Sequence, residues 1–230
     1  MAGRVFAITG ACGILGSAVA KAAAERGARL ALIDFAKAPP EGLAPGPDVL
    51  FLGGVDLTDA NSASAAIDAA AERFGRLDAL LNIAGGFSWQ THERSLVEDW
   101  YRLFLMNVQT ASNASRAAIP HLRRSAAGRI VNVGANAALK ASLGMGAYAA
   151  SKAGVHSLTQ ALAEELKGDG VTVNAVLPSI LDTPGNRADM PKADVSAWVR
   201  PDELAAVMLF LASEEASAVT GALIPVTGRV

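Results

Sequence analysis

The stretch FAITGACGILGSAVA, residues 6–20, is the part of the chain from which the architecture can be inferred. An apolar run enters a turn whose glycines are three residues apart, and a helical pattern follows at once. Such glycines permit a tight turn and close approach of the backbone to a pyrophosphate, and the helix N-terminus offers free N–H groups. This context predicts a dinucleotide-binding turn, although glycines needed only for a tight turn remain an alternative. The residues expected at the phosphates are Gly10, Gly13, Ile14, Leu15 and Gly16.

Beyond this turn, apolar runs of strand length alternate with helical patterns. The continuous apolar runs are typical of parallel strands covered on both faces. The alternation predicts an α/β fold, with a Rossmann-type three-layer αβα arrangement around a doubly wound, mostly parallel, seven-stranded sheet. Strands are expected near residues 4–9, 29–34, 49–54, 78–83, 129–134, 171–177 and 222–226. Helices are expected near residues 14–26, 59–74, 95–125, 146–168 and 201–213.

No boundary between domains is visible in the pattern. Residues 1–230 are therefore predicted to form a single NAD(P)-binding domain, and the Pro/Gly-rich segment 37–48 is interpreted as a surface loop. The segment 179–200 has no clear periodicity. Long loops of this kind inside compact domains often bind ligands, so we expect 179–200 to be a substrate loop.

Composition limits the classes of function. The formal net charge is −2, which gives no attraction for nucleic acid or for an anionic membrane surface. Although 51% of residues are hydrophobic, no run approaches the roughly 18 residues that a membrane span requires. The single cysteine, Cys12, excludes an internal disulfide, and the three scattered histidines predict no metal site. A cytoplasmic protein is the simplest interpretation.

The second strand ends in Asp34, which suggests the choice of nucleotide. An acid at this position accepts hydrogen bonds from the ribose hydroxyls of NAD and repels a 2′-phosphate. We therefore expect NAD, with NADH preferred over NADPH, although a turn or cap aspartate remains an alternative. Asp56, after the third strand, is expected either to reach the adenine amino group or to cap the next helix.

A candidate proton donor lies later in the chain. Tyr148 and Lys152 are four residues apart in a strongly helical stretch, so both lie on one helix face. An ammonium group close to a phenol favours the phenolate and lowers its pKa toward neutral pH. By itself such a pair is usually an accidental surface feature, but it gains weight beside a dinucleotide-binding turn.

Several motifs occur together in a fixed order. They are TGACGILG (9–16), VDLT (55–58), NIAG (82–85), MNV (106–108), YAASK (148–152), LPSILDTP (177–184) and VTGALIPVTG (219–228). In their order and spacing the chain resembles the short-chain dehydrogenase/reductases over essentially its whole length. That resemblance implies a one-domain Rossmann-type oxidoreductase that forms a homodimer or homotetramer, with the helices near 95–125 and 146–168 pairing between copies.

The resemblance also implies roles for individual residues. Tyr148 would be the acid/base, Lys152 would hold the nicotinamide ribose and lower the tyrosine pKa, and Asn107 would support a proton-relay water. Further residues are expected at the cofactor: Leu57, Asn82, Ala84, Gly85, Pro178 and Thr183.

Two positions depart from the family pattern. Ile14 stands where the second glycine more commonly lies, and Gly13 supplies an alternative spacing. Ala135 stands where the family has a serine hydroxyl. For a ketone substrate, loss of one donor to the developing oxyanion costs roughly 2.7 to 4 kcal/mol.

A second resemblance bears on this alanine. GANAAL (134–139) and LDTPGNRADMPKADVSAW (181–198) look like the dihydropteridine reductases, a branch that also has alanine at this position and uses NADH. A quinonoid dihydropteridine is an activated acceptor for which the missing donor matters less, and Ala135, Trp89 and Trp198 are the residues expected at this substrate. Two alternatives stay open. One is an alcohol/carbonyl oxidoreductase in which Asn136, Ser142 or a water replaces the serine, and the other is a non-catalytic NAD sensor.

Overall fold

A computed structural model describes all residues of the chain, 1–230. Seven strands form one sheet, and every pair of neighbouring strands runs parallel. The strands are β1 (Val5–Thr9), β2 (Arg29–Asp34), β3 (Val49–Gly53), β4 (Ala79–Asn82), β5 (Arg129–Val133), β6 (Thr172–Pro178) and β7 (Leu223–Val226). The predicted doubly wound, three-layer α/β architecture is confirmed, and the sheet is entirely parallel.

Helices connect the strands and cover both faces of the sheet. They are α1 (Ile14–Glu25), α2 (Ala60–Phe74), α3 (Val97–Phe104), α4 (Thr110–Leu122), α5 (Gly146–Leu166), α6 (Pro184–Asp189) and α7 (Pro201–Leu211). None of them is long and apolar enough to cross a membrane.

The core consists of two apolar layers, one on each face of the sheet. Phe6 and Ile8 of β1 are buried in the layer with α1 and α7. Val5 and Ala7 of the same strand are buried in the layer with α2, α4 and α5. Successive side chains of a strand point to opposite faces, so a strand covered on both faces is apolar at every position. This explains the continuous apolar runs in the sequence.

The order of the strands determines where a ligand can bind. The sheet has the order β3-β2-β1-β4-β5-β6-β7, so the direction of winding reverses between β1 and β4. Ligands of open parallel sheets bind at the carboxyl ends of the strands beside such a reversal. The glycine turn after β1 and the loop after β4 both lie there.

Two segments differ from their sequence-based description. The helix predicted over 95–125 is interrupted by one π-helical turn, Leu105–Gln109, between α3 and α4. The segment 179–200 is not a structureless loop. It contains α6 and a short 3₁₀ turn, and a parallel bridge joins Leu181 to Val199.

Candidate active site

The glycine turn after β1 forms one end of a large cleft. Gly10 has φ +65°, and a Cβ atom there would lie 2.7 Å from Ala84 N in the loop after β4. A Cβ at Gly16 would lie 2.1 Å from the carbonyl oxygen of Gly10. Gly13 begins α1 without a side-chain cap, so the N–H groups of the first helical turn remain available to a ligand. Because any side chain at Gly10 or Gly16 would collide with the backbone, this turn has the close-packed form that admits a pyrophosphate.

Asp34 lies beside this turn at the end of β2. Its two carboxylate oxygens accept hydrogen bonds from the backbone N–H groups of Cys12 and Ala36, each at 2.8 Å. The carboxylate is therefore fixed in orientation and lines the cleft. It provides a negative charge at the position where the sequence predicts selection for NAD.

Asp56 is also at the cleft and is not the cap of the following helix. That cap is Asp59, which accepts a hydrogen bond from Ser62 N. Asp56 Oδ1 instead accepts bonds from the backbone N–H and the hydroxyl of Thr58, which lower the pKa of Asp56. Of the two roles predicted for Asp56, capping of α2 is wrong.

Tyr148 and Lys152 lie in the first turns of α5 and both line the cleft. The Lys152 ammonium group donates a hydrogen bond to the Val133 carbonyl oxygen at 2.8 Å. The Tyr148 ring meets the ring of Phe87 edge to face, with centroids 4.9 Å apart. No sequence motif indicated Phe87, although it directly follows the glycine pair after β4.

The protonation of this pair differs from the sequence-based expectation. Burial raises the pKa of Tyr148 to about 12 and lowers the pKa of Lys152 to about 8. The expected lowering of the tyrosine pKa is not found, because desolvation of the phenol dominates and the ammonium group is bonded to Val133. In this arrangement Tyr148 is a protonated group at neutral pH and can donate a proton.

Asn107 lies in the π-helical turn and does not line the cleft. Its Oδ1 accepts from Gly86 N at 2.9 Å, and its Nδ2 donates to Gly86 O at 3.1 Å and to Ser151 Oγ at 2.9 Å. The buried side chain therefore connects the loop after β4 to α5, which carries Tyr148. All its hydrogen-bonding groups are used in positioning these two elements.

Ala135 follows β5 with only 3% of its surface exposed and an extended backbone. Its N–H donates to His156 Nε2 at 3.3 Å. Ala135, which was expected at the substrate, does not line the cleft, and neither do Asn136 and Ser142, the two residues considered as replacements for the serine. No hydroxyl from these three positions therefore reaches the cleft in place of the serine of the family.

The two tryptophans expected at the substrate do not line the cleft. Trp198 is 5% exposed and borders a separate cavity of about 540 Å³ next to Arg187 and Arg229. The prediction that the Trp198 ring stacks on the substrate is therefore wrong. Trp89 is 56% exposed, and its indole N–H donates to Leu143 O at 2.9 Å, which connects the loops that precede α3 and α5.

Three residues expected at the cofactor lie away from the cleft surface. Thr183 accepts a hydrogen bond from Asn186 N and caps α6, and Pro178 is buried at the end of β6. Asn82 is buried in the sheet, where its amide donates to Ser115 and Asn132. These residues lie behind the walls of the cleft, and Asn82 keeps one buried atom, Oδ1, without a hydrogen-bond partner.

The cleft has a volume of about 980 Å³. Most of the predicted site residues line it, namely Gly10, Gly13, Ile14, Leu15, Gly16, Asp34, Asp56, Leu57, Ala84, Gly85, Tyr148 and Lys152. The wall contributed by α3 and the π-helical turn was missed, since those residues are separated from the motifs in sequence. It includes Glu98, Tyr101, Arg102, Leu105 and Met106.

Comparison with known proteins agrees with this geometry. The family model for short chain dehydrogenases matches residues 4–194. The chain is 33% identical to a 3-oxoacyl-[acyl-carrier-protein] reductase of Thermotoga maritima, over 98% of this chain and 97% of that protein. It is 35% identical to a D-threitol dehydrogenase of Mycolicibacterium smegmatis, over 98% of this chain and 92% of that protein.

A solved structure extends the likeness to the fold. The crystal structure of a 3-ketoacyl-(acyl-carrier-protein) reductase from Brucella melitensis complexed with NADH superposes with a TM-score of 0.88 and 31% identity. The superposition covers 99% of this chain and 98% of that one. With the cleft, the Tyr148–Lys152 pair and these relatives together, the chain belongs to the short-chain dehydrogenase/reductase family of oxidoreductases.

Proposed function

We propose that the protein is an NAD(H)-dependent oxidoreductase that interconverts a small alcohol and its carbonyl compound. One observation carries this proposal. Tyr148 and Lys152 open onto the same cleft as the glycine turn and Asp34. A proton donor and a nucleotide site in one cleft are what hydride transfer to a carbonyl requires.

The residues of the cleft fit a nicotinamide dinucleotide. The turn at Gly10 and Gly16 has no space for a Cβ atom, and the free N–H groups at the start of α1 suit a pyrophosphate. The fixed carboxylate of Asp34 suits ribose hydroxyls and would repel a 2′-phosphate, which supports NADH over NADPH. When bound, this cofactor supplies or accepts the hydride.

The chain itself would manage the proton. In reduction, Tyr148 donates its phenolic proton to the carbonyl oxygen while carbon receives the hydride, so that an alcohol and NAD⁺ result. Lys152 lies buried on the same helix face one turn away, and the family resemblance assigns its ammonium group to the nicotinamide ribose. Oxidation of the alcohol reverses both transfers.

An alcohol/carbonyl pair is the first candidate because of the relatives. The two curated relatives described above are named a 3-oxoacyl reductase and a polyol dehydrogenase, and each aligns with nearly the whole chain. Neither name identifies the compound on which this chain acts. The two names support the interconversion of an alcohol and a carbonyl compound as the class of reaction.

Ala135 favours a second candidate, a quinonoid dihydropteridine. Without a hydroxyl at Ala135, the cleft lacks one expected donor to a developing oxyanion. An electron-poor ring that is already activated toward hydride needs that donor less. The resemblance of 181–198 to the dihydropteridine reductases points to the same acceptor.

A substrate panel tests the proposal. NADH oxidation is measured with simple ketones, 3-oxoacyl thioesters and quinonoid dihydropterin, and each assay is repeated with NADPH. Turnover of ketones or thioesters supports the first candidate, and turnover of the pterin alone supports the second. Cofactor binding without turnover of any acceptor would contradict catalysis and favour an NAD sensor.

We also infer that two copies of the chain pair through α3 and α5. Three large apolar side chains of α3 that do not line the cleft, Val97, Trp100 and Phe104, are between 38% and 67% exposed. Covering them against a second copy would remove apolar area from water. Light scattering should give the mass of a dimer or tetramer, and a monomer at micromolar concentration would contradict the pairing.

A further inference from the structure

Two side chains of α5 form hydrogen bonds with the backbone at the end of β5. Lys152 donates to Val133 O at 2.8 Å, and one helical turn later His156 Nε2 accepts from Ala135 N at 3.3 Å. Residues four apart lie on the same helix face, so the two contacts are made side by side. Val133 and Lys152 both line the cleft, whereas His156 is 6% exposed and does not.

Gly134, between the two contacts, leaves room for the imidazole. A Cβ atom at Gly134 would lie 2.5 Å from His156 Nε2 and 2.7 Å from its Cδ2. Real side-chain atoms do not approach so closely, so a larger residue would displace the imidazole ring. The absence of a side chain at Gly134 therefore leaves the space that the imidazole of His156 occupies beside the end of β5.

The hydrogen bond determines the protonation of this histidine. Because the Ala135 N–H donates to Nε2, the ring must be neutral and carry its proton on Nδ1. Burial is the main cause that lowers the pKa of His156, and the nearby charge of Lys152 lowers it further. Both effects favour the neutral ring.

We infer that His156 is a positioning residue, whose neutral imidazole holds the backbone of Gly134 and Ala135 and thereby fixes the end of β5 against Tyr148 and Lys152. The inference rests on the proposed function, since it concerns the geometry of that same site. His156 does not line the cleft, so we expect it to contact neither cofactor nor substrate. It acts through Ala135 and through the strand end to which Lys152 is bonded.

The expected consequence of its loss is kinetic. Without an acceptor, the buried Ala135 N–H is unsatisfied and the strand end is free to move. Small displacements of catalytic groups reduce the rate of the chemical step by up to about 100-fold without an equal effect on ligand binding. The first effect should therefore be on kcat and not on cofactor affinity.

Two substitutions separate positioning from general stability. His156→Leu removes the acceptor, and His156→Gln retains an amide oxygen that can accept from Ala135 N. We expect His156→Leu to lower kcat about 10-fold or more, His156→Gln to retain kcat within about threefold, and both to bind NADH within about twofold of wild type. His121→Gln, at a hydrogen bond with Asp68 outside the cleft, is the matched control and should leave kcat unchanged.

Equal kcat in wild type and folded His156→Leu, with only thermal stability reduced, would overturn the inference. So would a His156→Gln enzyme that is as slow as His156→Leu.

Imidazole nitrogen shifts provide a readout that needs no acceptor and no turnover. In wild-type protein labelled with ¹⁵N, His156 should be neutral with its proton on Nδ1 at neutral pH, and the Ala135 amide should exchange slowly. An Nε2–H tautomer or a charged ring would overturn the inference even if His156→Leu does not fold. A wild type that turns over no acceptor would instead refute the proposed function, so the two failures give different results.

Discussion

The ammonium group of Lys152 and the carbonyl oxygen of Val133 are 2.8 Å apart, and this hydrogen bond joins the catalytic helix α5 to the end of β5. It fixes a buried positive charge one helical turn from Tyr148. Burial lowers the pKa of Lys152 to about 8 and raises that of Tyr148 to about 12. The two groups are therefore expected to titrate in separate ranges of pH.

The pH dependence of reduction follows from these values. A lowered pKa means that Lys152 loses its proton, and with it the positive charge that strengthens its bond to Val133, as pH rises through about 8. Tyr148 stays protonated over the same range, so the decline in kcat/KM belongs to the lysine. Profiles measured between about pH 6 and 10 should fall near pH 8 in wild type, and Lys152→Arg should move the fall to higher pH because a guanidinium keeps its charge. A wild-type profile that stays flat through this range would contradict the assignment.

Nucleotide selection should depend on the charge of Asp34. Asp34→Asn keeps the size of the side chain and removes the repulsion of a 2′-phosphate, so the ratio of kcat/KM for NADH over NADPH should fall by about 10-fold or more. The control is Asp59→Asn, because Asp59 caps α2 outside the cleft and asparagine also caps helices. The ratio is obtained from parallel titrations with both nucleotides. An unchanged ratio in Asp34→Asn would show that the charge of Asp34 does not select the nucleotide.

Ala135→Ser should discriminate between the two classes of acceptor. If the physiological acceptor is a ketone, a new hydroxyl donor should raise its kcat/KM by as much as about 10²- to 10³-fold. If it is an activated ring, the same change should have an effect of less than about threefold on its reduction. Ala137→Ser, two residues further along the same loop, controls for an added hydroxyl. Equal effects of the two substitutions on ketone reduction would show that the missing donor is not what limits the rate.

The sheet could be predicted from the sequence because parallel strands covered on both faces are apolar throughout. β2, predicted at 29–34, has the same bounds in the structure. The π-helical turn at Leu105–Gln109 was not predicted from the helical pattern over 95–125. Its anchor is the bond of Asn107 to Gly86, which joins residues far apart in sequence.

Only those parts of the candidate site that lie within a local sequence motif could be predicted. The glycine turn and the Tyr148–Lys152 pair are local patterns, and both lie on the cleft. Phe87 and His156 contact their partners through the tertiary fold. Spacing places His156 on the helix face of Lys152, but it does not indicate the contact with Ala135. Trp198 was misplaced because the aperiodic segment 179–200 gives no information about which side chains it buries.

The central claim, that Tyr148 donates the proton in an NADH-dependent reduction, is tested most directly by Tyr148→Phe. With the best acceptor from the panel, kcat should fall by about 10²- to 10⁴-fold, because the substitution removes only the phenolic hydroxyl. The NADH dissociation constant, measured by fluorescence titration, should remain within about twofold of wild type, because the nucleotide contacts at Gly10, Gly16 and Asp34 are unchanged. A Tyr148→Phe enzyme with wild-type kcat would contradict the account.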